Sequence, residues 1–127
     1  MKLRGISGIS TIISLLIVLI GCTSTNDDGW ISTEYSQQKA DELQKQVDEG
    51  HKPGALDWRQ VSRDFLSSNE IKVNESTDSK LIVDEKTKKV VQYELTDGRL
   101  IQLELVQPSK EGPSGIYMVN RYRFLSK

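Results

Sequence analysis

The stretch KVVQYELTDGRLIQLELVQ, residues 89–107, decides how this chain folds. Apolar residues alternate with polar ones on both sides of Thr96-Asp97-Gly98, and a two-residue period belongs to strands. Two registers are open to the hairpin. A two-residue Asp97-Gly98 turn pairs Leu95 with Leu100, and therefore Tyr93 with Gln102 and Val91 with Glu104. That register sets polar side chains opposite the apolar face, which a half-buried sheet disfavours. A three-residue Thr96-Asp97-Gly98 loop with Gly98 left-handed pairs Tyr93 with Ile101 and Val91 with Leu103. The alternation then agrees on both strands, and a type I turn followed by a bulge supplies such a loop. The three-residue loop is the expected one.

Downstream, PSKEGPSG (residues 108–115) reads as a longer turn and IYMVNRYRF (residues 116–124) as a closing strand. Alternation puts Ile116, Met118, Tyr122 and Phe124 on one face, with Asn120 breaking the series. Tyr117, Val119, Arg121 and Arg123 fall on the other. Upstream, Ile71–Val73 and Lys80–Asp84 are short strand candidates separated by a polar loop, and EKTK (residues 85–88) is a turn.

Before Glu70 the period is helical. Asp57 stands at an N-cap, Gln60 three residues on completes a capping-box pattern, and Leu56 and Val61 occupy the staple positions of a helix over residues 58–67. Trp58, Val61 and Phe65 give that helix an apolar face, with Leu66 beside it, and it is expected to lie across the sheet. A first helix over residues 33–49 carries a narrow stripe of Ala40, Leu43 and Val47, capped by Ser32 or Thr33 and stopped by Gly50. Helices first and strands after make an α+β domain: two N-terminal helices packed on a four- to five-stranded antiparallel meander.

The N-terminus is of another kind. Lys2 and Arg4 precede an uncharged run from Gly5 to Ile20, which has the layout of an export signal. The run ends at Leu19-Ile20-Gly21-Cys22, and this tetrapeptide resembles the bacterial lipobox. The resemblance implies cleavage between Gly21 and Cys22 and a lipid on the thiol of Cys22, the only cysteine in the chain. The expected organisation is a signal peptide over residues 1–21, a lipidated tether over 22–30 and a small α+β domain over 31–127. At least two acyl chains on such a cysteine suffice for stable anchoring. The expected location is the outer face of a cell membrane, and the expected host is a monoderm bacterium.

Removing residues 1–21 takes away Lys2 and Arg4 and no acid, leaving 15 Lys+Arg against 18 Asp+Glu, a formal charge of −3. That balance argues against nucleic acid as a partner, because it lacks a basic footprint. With Cys22 lipidated no thiol remains to pair, so packing must hold the domain together. The sequon Asn74-Glu75-Ser76 is read as accidental in a bacterial chain.

A second resemblance lies in DGRLIQLELVQPSKEGPSGIYMV and ELQKQVDEGHKPGALDWRQV. Both stretches are similar to segments of small lipoproteins and exported domains of Bacillus and its relatives. Those proteins end in a hairpin whose last strand begins Gly-Ile-aromatic-x-Val, here residues 115–119, and often carry Trp where Gly54 stands. The resemblance implies location and fold and names no activity.

Chemistry-bearing patterns are sparse. His51 is the only histidine and lies in an expected interhelix turn. A zinc site needs three or four ligands, and the pairs Asp41-Glu42, Asp48-Glu49 and Asp84-Glu85 match no calcium loop. No catalytic, cofactor-binding or metal-binding residue is therefore expected. Arg121 and Arg123, interleaved with Tyr122 and Phe124, are the candidate surface contacts, toward anionic lipid or a wall polymer. The leading expectation is a non-enzymatic interaction module for an envelope protein or polymer. The alternatives are an accessory ligand-binding subunit or hydrolase with a helix–sheet pocket, and a cystatin-like inhibitor.

Overall fold

The computed structural model describes residues 29–126. The expected signal peptide, the lipidation site Gly21-Cys22 and the tether as far as residue 28 lie outside them. In chain order the elements are strand β1 (Ile31–Ser32), helix α1 (Gln37–Asp48), a 3-10 turn (Pro53–Leu56), helix α2 (Trp58–Ser68), and strands β2 (Lys80–Asp84), β3 (Lys88–Glu94), β4 (Leu100–Val106) and β5 (Met118–Leu125). The strands form one antiparallel sheet in the order β1-β5-β4-β3-β2. The fold is α+β, with helices packed on an antiparallel sheet, as the segregated periods predict.

The β3–β4 hairpin takes the three-residue loop. Tyr93 pairs with Ile101 and Val91 with Leu103, Leu95 N–H donates to Arg99 O at 2.8 Å, and Gly98 has φ 90°. Register then puts Val91, Tyr93, Leu95, Ile101, Leu103 and Leu105 on one face, where they form the core with Leu66 and Val119. Complete burial of a Leu or Ile side chain contributes about 1.5–3 kcal/mol, and Ile101, Leu103 and Leu105 have no solvent exposure. Helix α2 lies across this face, with the Phe65 ring 5.4 Å from that of Tyr122.

Several boundaries differ from expectation, each for a local reason. Helix α1 begins four residues later than expected, with Ser36 as N-cap. Thr33, an expected cap, is held by the sheet instead: its hydroxyl donates to Val119 O at 2.6 Å and its N–H to Asn120 O at 3.1 Å. The same pairing makes Ile31–Ser32 a strand, too short to show a period in the sequence. Trp30, the last residue of the expected 22–30 tether, packs on β5, its ring 4.6 Å from the Arg121 guanidinium and 4.5 Å from that of Arg123. Asp57 caps α2, its carboxylate accepting from Arg59 N–H at 2.9 Å. Gln60 does not complete the capping box, because its amide donates to Asp64 at 2.8 Å. Of the expected strand at residues 71–73 only a bridge from Val73 to Leu95 is present.

Asn120 breaks the last strand as a β-bulge, and the two faces are sorted differently from the expectation. The pairing shifts by one residue between Glu104↔Arg121 and Leu105↔Val119. Val119 therefore joins the core side with Tyr122, whereas Met118 pairs opposite Val106 on the other side. An extra unpaired residue reverses the alternation on one side of it.

Both helices end in the same backbone motif. Past α1, His51 N–H donates to Gln46 O (2.8 Å) and Gly50 N–H to Val47 O (2.9 Å), with Gly50 at φ 88°. Past α2, Ile71 N–H donates to Leu66 O (2.9 Å) and Glu70 N–H to Ser67 O (3.1 Å), with Glu70 at φ 56°. This pair of bonds satisfies orphan carbonyls, and where the outer donor residue is apolar it packs back on the helix. Ile71 does so beside Leu66.

Candidate functional site

The helices and the start of β5 do not close completely over the sheet. They leave an open groove of about 670 Å³, lined chiefly by Tyr35, Leu43, Val61, Phe65, Tyr117 and Val119. Its walls follow from the sequence. The chain leaves β1 through Thr33, which is bonded to β5, so Tyr35 stands beside the strand. The 3-10 turn is tied to the residue just before the same strand, Tyr117 N–H donating to Ala55 O at 2.9 Å. Helix α2 contributes Val61 and Phe65 from its apolar face, and α1 contributes Leu43. Lys52, Asp64, Ser68 and Asn69, all exposed, bring polar groups to the groove. Apolar and aromatic walls with a few polar groups are the usual make-up of a binding surface.

The expected contact residues Arg121 and Arg123 sit on the opposite face of the sheet, in a polar network. Arg121 Nε donates to Glu104 at 3.0 Å, and Asn120 donates to the second oxygen of the same carboxylate at 2.9 Å. The Glu104 side chain is only 6% exposed, so these bonds offset the cost of burying its charge. Arg123 Nε donates to Gln102 Oε1 and Gln102 donates to Gln92, both at 2.9 Å. Trp30 lies over both guanidinium groups. The two arginines are thus brought together by an aromatic ring and held by acceptors on β4.

A second, more polar cleft of about 1080 Å³ runs between α2, the 70–79 loop and β3, with Arg63, Lys72, Glu75, Asp78 and Tyr93 among its lining. Burial pushes the Tyr93 phenol above its usual pKa, against the lowering effect of a hydrogen bond with Ser62. The Ser62 hydroxyl donates to Trp58 O at 2.7 Å. This pair closes the underside of α2.

Sequence reasoning missed Gln44 and Gln107, which are buried and build the β4–β5 connection. Gln44 accepts from Ile116 N–H at 2.9 Å and donates to Ser114 O at 2.8 Å. Gln107 accepts from Gly112 N–H at 2.9 Å and donates to Gly112 O and Gly115 O at 2.8 and 3.0 Å. The available signal was the place of Gln44 one turn after Ala40, on the inward side of α1, where a polar residue needs partners.

The remaining candidates have structural work. His51 is exposed, is not among the residues lining either cleft, and contributes its backbone N–H to the end of α1. Asp41 accepts from Ser109 and Gln37, which hold its carboxyl below the usual value. Asp48 accepts from Gln44 at 3.0 Å, and Asp84 pairs with Lys89 across the β2–β3 ladder. In the sequon, Asn74 Oδ1 accepts from the backbone and the hydroxyl of Ser76, a local turn. Among the described residues no group of three His, Cys, Asp or Glu side chains is placed to hold a metal. No helix among them is long and apolar enough to cross a membrane.

No family model, curated protein or solved structure matches this chain.

Proposed function

We propose that the chain is an extracytoplasmic lipoprotein, held to a membrane through a lipid on Cys22, whose domain is a non-enzymatic interaction module for an envelope protein or polymer. The observation that supports the binding role is the aromatic groove between Tyr35, Phe65 and Tyr117. Aromatic side chains supply large contact area at low conformational cost and dominate binding energy where they cluster. The anchor rests on the export-signal layout and on the lipobox resemblance at Leu19–Cys22.

The same groove supports a second reading. Its volume falls within the roughly 300–1,000 Å³ range of small-molecule sites, which fits an accessory subunit that binds an apolar ligand.

Site-specific photo-crosslinking of the anchored protein in its host separates these readings. A photo-reactive residue in place of Tyr35 is expected to capture a discrete envelope component that the same residue in place of exposed Lys86 does not. Identical products at both positions would contradict the interaction role. A low-mass apolar adduct at residue 35 alone would favour the ligand-binding reading.

A further inference from the structure

We propose that the corner of the sheet formed by Trp30, Ile31 and Phe124 rests in the headgroup region of the bilayer that carries the lipid on Cys22. This rests on the anchor reading above and adds an orientation to it.

Three observations carry the proposal. The first is where the chain enters. Strand β1 pairs Ile31 with Tyr122 and Ser32 with Arg121, so Gly29 lies level with the C-terminal end of β5, at the same end of the sheet as the Thr96–Gly98 turn. From Cys22 to Gly29 is seven steps of chain, a reach of at most about 25 Å. A domain of this length is roughly 30 Å across. The tether is shorter than the domain is wide, so the entry corner stays near the lipid.

The second is what that corner exposes. Ile31 is 46% exposed and Phe124 37%, two of only four large apolar side chains exposed among the described residues. The other two, Leu81 and Ile82, lie on β2 at the far edge of the sheet. Ile31 and Phe124 project on the core side of the corner, opposite Tyr122 and Ile101, and the half-buried Trp30 lies on the other face against Arg121 and Arg123.

The third is the setting of the cations. The Arg99 guanidinium stacks 4.9 Å from the Phe124 ring, and those of Arg121 and Arg123 stack on Trp30. Aromatic rings beside long basic side chains suit the water–lipid boundary, where the rings lie at headgroup level and the charges stay wet. Asp97 pairs with Arg99 at 2.8 Å and Glu104 with Arg121 at 3.0 Å. With Arg99 and Arg121 paired to carboxylates and Arg123 bonded to Gln102, apolar contact outweighs net charge in the association, which does not require anionic lipid. The loop over residues 108–115, at the opposite end of β4 and β5, points away from the membrane.

The test uses the lipidated chain in vesicles of phosphatidylcholine, with and without phosphatidylglycerol. Because lipid occupies Cys22, an environment-sensitive fluorophore attaches to a single added cysteine, either Ser126→Cys at the entry corner or Glu111→Cys at the far loop. Brominated acyl chains are expected to quench the probe at 126 several-fold more than the probe at 111, equally in both vesicle types. Ile31→Ser with Phe124→Ser is expected to reduce that difference several-fold, to what the tether alone maintains, while the protein still floats with the vesicles, and an unchanged difference would overturn the proposal. Equal quenching at both positions would overturn the proposal. So would shielding of position 126 in a dimer, or quenching that requires phosphatidylglycerol. A chain without lipid on Cys22 would overturn the anchor reading itself and is recognised separately by its mass and its failure to float.

Discussion

Gly98 and Glu70 both hold a positive φ, 90° and 56°, and only one of them announces it. Gly98 is legible because turn chemistry is local: Asp-Gly between two alternating runs admits few loops, and only one keeps the faces matched. Nothing lies within 4 Å of a Cβ added to Gly98. Gly98→Ala should therefore cost only the left-handed penalty, about 1–2 kcal/mol, measured by chemical denaturation. Glu70 gives no local hint, because its conformation is imposed by Ile71 packing back beside Leu66. Glu70→Gly removes the strain and adds chain entropy to the unfolded state, for an expected net gain of about 0.5–1 kcal/mol. Gly115 differs from both: an added Cβ would stand 1.8 Å from Lys110 O. Gly115→Ala must displace that backbone and should cost about 1–3 kcal/mol, with faster amide exchange confined at first to residues 108–116.

Among the elements, those specified by their own period were readable and those specified by a neighbour were not. Strands β3 and β4 carry their alternation in full, and the cap and apolar face of α2 lie within its own sequence. The first two residues of the domain become a strand only because β5 is there to pair with. The start of α1 is late for the same reason: bonding of Thr33 to Val119 and Asn120 outweighs its value as a cap. The break at Asn120 was visible, but its consequence was not, since alternation cannot say which side of a bulge keeps its facing. Deleting Asn120 should leave a regular ladder, with Val119 still inward and Arg121 still outward. The expected cost is about 1–3 kcal/mol, for the lost bonds to Glu104 and Thr33. A folded protein with native-like near-UV circular dichroism is expected, and loss of cooperative unfolding would contradict the bulge assignment. Of the groove, its apolar lining on α2 was legible. Its existence was not, because a gap between α1, the 3-10 turn and β5 depends on how far each is held apart.

For the whole molecule, two titrating side chains make the stability depend on pH at opposite ends of the scale. The Tyr93 phenol is pushed above its ordinary value of 10.0 by burial, so the folded state keeps a proton that the unfolded chain releases. Stability from this group is complete below that value and falls as pH rises from there to the folded pKa. Tyr93→Phe is expected to flatten the loss of stability above about pH 10, in unfolding followed across that range. The carboxyl of Asp97 shifts the other way, held down first by the Arg99 backbone N–H and then by its side chain. Its contribution is present above the ordinary carboxylate value of 3.8 and disappears as pH falls through the lower, folded pKa.

On the outside, the proposed membrane attachment and the orientation proposed for the Trp30–Phe124 corner both hang on Cys22. Intact-mass analysis of the protein extracted from its host membrane addresses this directly. The account requires a chain that begins at Cys22 and carries the mass of a diacylglyceryl group on its sulfur. A chain that begins at Met1, or one with a free thiol at Cys22, would contradict it.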